Sequence, residues 1–143
     1  MTKSVLCAVD ISNGNQDAHV LEKAAALADS ESAALDVVTV LPDFGESWVS
    51  TFFEPNFHEK AVEDAHNQLV ALCAKTVGEE RNAKIRHVVA TGTAYQEILK
   101  TADGAGSDLI VIGAHKPDFK DYLLGPNAAR VVRHSSVSVY VVR

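Results

Sequence analysis

The segment from Asp108 to Asn127 is the part of the sequence whose residue types and spacing most suggest chemistry. An apolar run ends at Gly113, and Gly125 followed by Pro126 is typical of a helix start, with glycine near the cap and proline at the first helical position. The first turn of a helix presents unpaired N–H groups and a partial positive charge. Both favour a phosphate or another anion.

Two basic side chains would strengthen this field. Lys116 lies in the loop between the two glycines, and Arg130 lies one turn inside the predicted helix. Residues 109–143 carry 5 basic and 2 acidic side chains, whereas residues 1–108 carry 8 basic and 17 acidic ones. The segment therefore predicts an anion site that suits a nucleotide phosphate, with a purely structural loop as the alternative.

The elements that must position this segment follow from two alternating patterns. Five β-branched, largely apolar runs predict strands, and four stretches with apolar residues three and four positions apart predict the helices between them. The predicted strands are Lys3–Asp10, Ala34–Leu41, Lys84–Ala90, Asp108–Gly113 and Val137–Val142. Strand–helix alternation over the whole length calls for a parallel sheet with right-handed crossovers. We therefore predict a single α/β domain over residues 1–143, an open five-stranded parallel sheet with helices on both faces.

Composition excludes several classes of protein. The 143 residues are 47% apolar and 22% charged, as in an ordinary folded domain. The net charge of −6 argues against nucleic-acid binding, where a basic surface should dominate. The longest apolar run, residues 69–74, is far shorter than the ~18 residues of a membrane span. We expect a cytoplasmic protein that binds neither nucleic acid nor membrane, with Cys7 and Cys73 as buried thiols.

Familiar catalytic motifs are missing from the sequence. It has no GxxxxGK[ST] phosphate loop and no GxSxG nucleophile, and Gly104-Ala105-Gly106 precedes a strand instead of opening a helix. His58 and His66 fall on one predicted helix, but eight residues at ~1.5 Å each separate them too far to share one ion. The sequence therefore predicts no catalytic residue and no metal site built from protein groups alone.

The order and spacing of these segments resemble the universal stress protein family over the full length. The resemblance is carried by Val5–Asp10, Val37–Leu41 followed by Pro42, Gly92, Asp108–Gly113, Leu124–Ala128, Val131–His134 and Val137–Arg143. It implies a Rossmann-like fold of the adenine nucleotide alpha hydrolase type, usually dimeric. One branch of the family binds ATP and another does not.

The ATP-binding members resemble the pattern G-x2-G-x9-G-[ST]. Gly113 and Gly125 match its first and last glycines, whereas Lys116 replaces the middle glycine with eight residues, not nine, before Gly125. Pro126 stands in place of Ser or Thr and offers neither an N–H nor a hydroxyl to a phosphate. Lys116 and the Asn127 amide are the groups that could compensate.

The resemblance also assigns roles outside this loop. Asp10 would lie beside the ribose or beside metal-bound phosphates, and Val40 would present its backbone to the adenine ring. The pocket walls would be Ala8, Val9 and Ile112. For Asp10, the alternative is a cap for the helix that follows.

These inferences combine into one functional hypothesis and two rivals. The hypothesis is a regulatory stress-response protein that binds ATP (or AMP or ADP), with magnesium reached through Asp10 and the nucleotide. The rivals are a nucleotide-free dimeric interaction module and a slow ATPase that uses Asp10 and magnesium. We predict a homodimer through the apolar strand Val137–Val142. The long, aromatic-rich connection Pro42–Phe57 is the candidate surface for a further protein partner, unless it simply covers the sheet.

Overall fold

The computed structural model describes residues 2–11, 17–42, 57–114 and 125–143, which form one five-stranded parallel sheet with helices on both faces. The strands are β1 Ser4–Ala8, β2 Ala34–Leu41, β3 Arg86–Thr91, β4 Leu109–Gly113 and β5 Ser138–Val142. The helices of the described ranges are α1 Ala18–Ser30, α2 Phe57–Val77, α3 Glu79–Asn82, α4 Ala94–Ala105 and α5 Gly125–His134. The predicted fold class is confirmed.

The strand order is β3-β2-β1-β4-β5, with all neighbours parallel. In the central strand, Cys7 lies opposite Val37 of β2 on one side and Val111 of β4 on the other. The chain builds outward from β1 through β2 to β3 and then returns to place β4 on the other side of β1. The strand order thus reverses between β1 and β4, and open α/β sheets bind their ligands in a crevice at the carboxyl ends of the strands at such a point, here the β1–β4 crevice.

The core has two layers because alternate residues of each strand face opposite sides of the sheet. Val5, Cys7 and Val9 pack against α1 and α2, whereas Leu6 and Ala8 pack against α4 and α5. Burial on both faces explains why the strands are nearly continuous apolar runs without polar alternation.

Six strand ends differ from the prediction by one or two residues, and three of these differences have a local reason. β1 ends at Ala8, because the N–H of Asp10 turns away to a side chain. β3 begins at Arg86, because the N–H groups of residues 84 and 85 bond back to the carbonyls of residues 81 and 82. β5 begins at Ser138, because the N–H of Val137 bonds to the Ser135 hydroxyl at 3.0 Å.

The spacing of apolar residues in the sequence did not predict helix α3. Glu79 and Glu80 lie in its four residues, which are too few to repeat an apolar position. Most of the connection Pro42–Phe57 lies outside the described residues, so its role as a partner surface stays a prediction. No helix in the described ranges is long and apolar enough to cross a bilayer.

Both cysteines are buried, as predicted. Burial raises the pKa of Cys73 to about 12 and raises that of Cys7 well above its ordinary value, with the negative charge of Asp17 adding to the second effect. A thiol that stays protonated is a poor nucleophile. Neither cysteine is therefore a candidate catalytic group.

Candidate functional site

The carboxyl end of β1 forms one wall of the crevice. Ala8 and Val9 are fully buried, and Asp10 is only 2% exposed. The N–H of Val9 still bonds to the Val38 carbonyl of β2 at 3.0 Å, whereas the N–H of Asp10 donates to Oδ2 of Asp17 at 2.7 Å. The chain therefore leaves the sheet at Asp10 and is held there by a carboxylate at the start of α1.

The carboxyl end of β4 forms the opposite wall. Ile112 and Gly113 are buried, and the N–H of Ala114 bonds to the Val142 carbonyl of β5 at 2.6 Å. A Cβ on Gly113 would lie 3.0 Å from Cγ2 of Val20 and 3.8 Å from Oδ1 of Asp17. The missing side chain thus allows α1 to pack closely against the end of β4.

The four residues predicted to line the pocket or to contact the adenine ring lie on two different faces of the sheet. Ala8, Val40 and Ile112 belong to the core layer beneath α4 and α5. Val9 belongs to the opposite layer beneath α1 and α2, so its side chain cannot line the same wall as the other three.

The starts of α4 and α5 are joined by Asn127. Its side-chain Oδ1 accepts the N–H of Tyr95 at 3.0 Å, and the residue is only 9% exposed. Thr93, the N-cap residue of α4, makes no capping bond with its own side chain, so Asn127 supplies that bond from the neighbouring helix. The side-chain oxygen of Asn127 therefore has a structural partner, a role that the sequence did not suggest.

Arg130 lies over an aromatic ring of α4. Its Cζ is 5.5 Å from the centroid of the Tyr95 ring, and the ring of His134 stacks on the same tyrosine with centroids 5.7 Å apart. The guanidinium thus lies between α4 and α5, beside the start of α4. Its predicted role toward a phosphate stays a prediction.

The remaining loop positions are only partly described. The helix predicted to open at Gly125-Pro126 does begin there, which places its N-terminus at the carboxyl edge of the sheet. Lys116 lies outside the described residues, as does the loop that contains it. The predicted contacts of all three residues with a ligand stay predictions.

Asp17 and Tyr95 are the two residues of this region that sequence reasoning missed. Asp17 does carry a signal, since an Asp just before an apolar helical pattern is a typical N-cap. The structure therefore assigns the cap of α1 to Asp17 and not to Asp10, the alternative that the sequence left open. Tyr95 carries no such signal, because its partners Asn127, Arg130 and His134 are more than thirty residues away in the chain.

The histidines do not form a metal centre in the part of the chain that is described. No group of three His, Cys, Asp or Glu residues in that part could hold an ion. His66 and His87 meet edge to face with centroids 6.1 Å apart, and Nε2 of His87 lies 2.7 Å from Oδ1 of Asn82. This cluster joins α2 and α3 to β3, away from the β1–β4 crevice.

Together, the reversal of strand order between β1 and β4 and the helix starts around it define a doubly wound α/β protein, a class whose members bind ligands at this switch point. The model of the universal stress protein family matches residues 1–143, so the chain belongs to that family.

Relatives and solved structures agree with this assignment. The chain is 30% identical over 144 residues to universal stress protein A homolog 1 of Coxiella burnetii, covering 98% of this chain and 95% of the relative. It is 27% identical over 146 residues to universal stress protein G of Shigella flexneri, with both chains fully covered. The structure of protein MJ0577 of Methanocaldococcus jannaschii superposes with a TM-score of 0.76 at 26% identity, covering 99% of this chain and 96% of that one.

Two more distant structures share the fold. One is the universal stress protein of Archaeoglobus fulgidus in complex with dAMP, with a TM-score of 0.66 at 20% identity. The other is a universal stress protein in complex with cAMP, with a TM-score of 0.61 at 19% identity. They cover 99% of this chain and 98% and 97% of their own chains, respectively.

Proposed function

We propose that this chain binds an adenine nucleotide, with ATP as the first candidate and AMP or ADP as shorter ones, and that it acts as a regulatory protein in a stress response. The observation that carries the proposal is the reversal of strand order between β1 and β4, with α5 starting at Gly125 after β4. Backbone N–H groups at a helix start provide donors for a phosphate without any catalytic side chain.

The proposed placement assigns the base and the phosphates to different elements. The adenine would lie against the backbone of Val40, and the phosphates would lie over Gly113, Gly125 and Pro126. The remaining proposed contacts are Ala8, Val9, Asp10, Ile112, Lys116, Asn127 and Arg130. The Val9 contact would be through its backbone, since its side chain faces α1.

The nucleotide-bound relatives support the class of ligand. The Archaeoglobus fulgidus protein holds dAMP and another family member holds cAMP, and both have the fold of this chain. Both ligands contain adenine and one phosphate. AMP is therefore the smallest ligand to test beside ATP.

Magnesium fits the crevice only together with the nucleotide. Asp10 and Asp17 offer carboxylate oxygens, the ligands that Mg²⁺ prefers, at the end of β1. The described residues contain no third ligand that would complete a site, so nucleotide phosphates and water would have to supply the rest. Bound in this way, the ion would neutralise phosphate charge next to the two carboxylates.

The decisive experiment has two parts. Purified protein is denatured and the supernatant is analysed by mass spectrometry for released nucleotide, and the apo protein is then titrated with ATP, AMP and GTP. We expect ATP to bind and GTP to bind at least tenfold more weakly. Gly125→Val should weaken ATP at least tenfold, since a branched side chain would stand where the backbone must approach the phosphate, while leaving the melting temperature of the apo protein unchanged.

The same titrations separate the rival functions. Absence of binding by all three nucleotides would favour the nucleotide-free dimeric module. ATP turnover above that of a protein-free control, abolished by Asp10→Asn, would favour a slow ATPase. Equal ATP affinity of the wild type and Gly125→Val would contradict the proposed phosphate position.

We also propose that two copies pair through β5, because this strand lies at one edge of the sheet. Its residues Ser138–Val142 include no charge and no proline, and Tyr140 and Val141 are 38% and 37% exposed. An uncharged apolar edge is a template for pairing with another strand. A second copy of the chain would cover it.

A further inference from the structure

Asp17 has a position that its role as a helix cap does not explain. Its backbone carbonyl accepts the first bonds of α1, from Val20 at 3.1 Å and Leu21 at 3.2 Å, but its carboxylate makes no capping bond to the helix. Oδ2 instead accepts the N–H of Asp10, and Oδ1 lies 3.8 Å from where a Cβ of Gly113 would stand. The carboxylate therefore lies between the ends of β1 and β4.

This position is the switch point at which the proposed function places the nucleotide. Unpaired backbone N–H groups in the turn between a strand and the following helix are common donors to a bound anion. Here the Asp17 carboxylate already accepts the N–H of Asp10, and the side chain of Asp10 is a second, buried carboxyl group. A polyphosphate entering the crevice would thus meet fixed negative charge.

Like charges in a partly buried site repel strongly, because the surroundings screen them less than water does. A divalent cation between the phosphates and the carboxylates removes that repulsion. We infer that Asp17 is a specificity-determining residue that makes ATP binding conditional on a divalent cation and rejects the metal-free polyphosphate. This inference rests on the proposed function.

The experiment compares ATP affinity in Mg²⁺ with ATP affinity in EDTA. For the wild type, we expect affinity at least tenfold higher in Mg²⁺, the order of magnitude that one partly screened charge interaction supports. Asp17→Asn keeps an oxygen to accept the N–H of Asp10 but removes the charge. It should shrink the difference to less than threefold, mainly by raising affinity in EDTA.

Two further variants separate charge from position. Asp103→Asn removes the same charge from an exposed site near the C-terminal end of α4, on the side of the sheet where the strands begin. This variant should keep the tenfold difference of the wild type. Asp17→Ala removes both the charge and the acceptor. It should bind ATP more weakly than Asp17→Asn in both conditions, because the end of β1 loses its tie to α1.

The possible failures are distinguishable. If the wild type binds ATP and Asp17→Asn keeps the tenfold difference, the inference is overturned while the proposed function stands. If Asp17→Asn matches the wild type and only Asp17→Ala binds weakly, Asp17 acts through position alone and the inference is again overturned. If the wild type binds ATP in neither condition, the proposed function and the inference fall together.

Discussion

The two edge strands of the sheet have opposite surface chemistry. β3 begins with Arg86 and His87, and both have partners: Arg86 bonds to Asp36 of β2 at 2.9 Å, and His87 contacts Asn82 and His66. β5 has no charged residue. Nζ of Lys23 in α1 lies 5.8 Å from the centroid of the Tyr140 ring of this strand.

This difference distinguishes an edge strand that is protected against pairing with another strand from an edge strand that is exposed to it. Natural sheets avoid unwanted pairing by placing charges at their edges, and β3 carries the charge of Arg86 and is joined to α3 through His87 and Asn82. β5 has the apolar surface that pairing needs. The comparison therefore makes β5 the expected site of the proposed self-association, and three changes test it.

The largest effect is expected from charging β5. Tyr140→Lys together with Val141→Lys should weaken dimerisation at least a hundredfold, because like charges facing each other across an interface cost several kcal/mol. Both side chains are exposed in one protomer, so the fold should tolerate the change. Sedimentation velocity across a concentration series measures the effect.

The matched control adds the same charge elsewhere. Gln68→Lys together with Ala71→Lys alters the exposed side of α2 and should leave the association constant unchanged. A wild type that sediments as a 15.3 kDa species at high micromolar concentration would contradict pairing through β5.

A moderate effect is expected from removing the charge on β3. Arg86→Leu takes the partner from the Asp36 carboxylate, which is mostly buried, and should lower the free energy of unfolding by about 1 kcal/mol. The exposed guanidinium limits the loss. Urea denaturation measures it, with Arg86→Lys as the variant that retains the charge; equal stability of Arg86→Leu and wild type would show that the pair is not stabilising.

The smallest effect is expected from pH acting on the same edge. Burial lowers the pKa of His87, and the positive charge of His66 lowers it further, so the folded state favours the neutral imidazole. The unfolded chain takes up this proton near pH 6.5, before the folded chain does. The stabilisation from neutral His87 is therefore present above that pH and is lost as the pH falls through 6.5 toward the lower, folded-state pKa.

Denaturation between pH 5 and 8 checks this prediction. The free energy of unfolding of His87→Gln should fall less steeply on acidification than that of the wild type, whereas the exposed control His58→Gln should follow the wild type. Parallel curves for all three proteins would exclude a contribution from His87.

Most of the fold was predictable because its signals are local. Continuous apolar runs such as residues 109–112 mark strands buried on both faces, and three- and four-residue spacing marks the helices packed on them. The short helix α3 was not predictable in this way, since four residues cannot repeat an apolar position. The strand starts at Arg86 and Ser138 depended on single turn bonds, which sequence patterns do not specify.

The sequence by itself determined the order along the chain of the five strands and the four longer helices, the burial of both cysteines and the helix start at Gly125, because each follows from the local pattern of side chains. Only the tertiary structure decided that Asp17 closes the end of β1, that Asn127 caps α4 and that Val9 faces away from Ala8 and Val40. Asp17 acts across seven residues, and Asn127 reaches a partner thirty-two residues away. The Asn127 contact forms only when the fold brings α4 and α5 together, so no local pattern could predict it. The local pattern marks Asp17 as a helix cap but not as the acceptor for the N–H of Asp10.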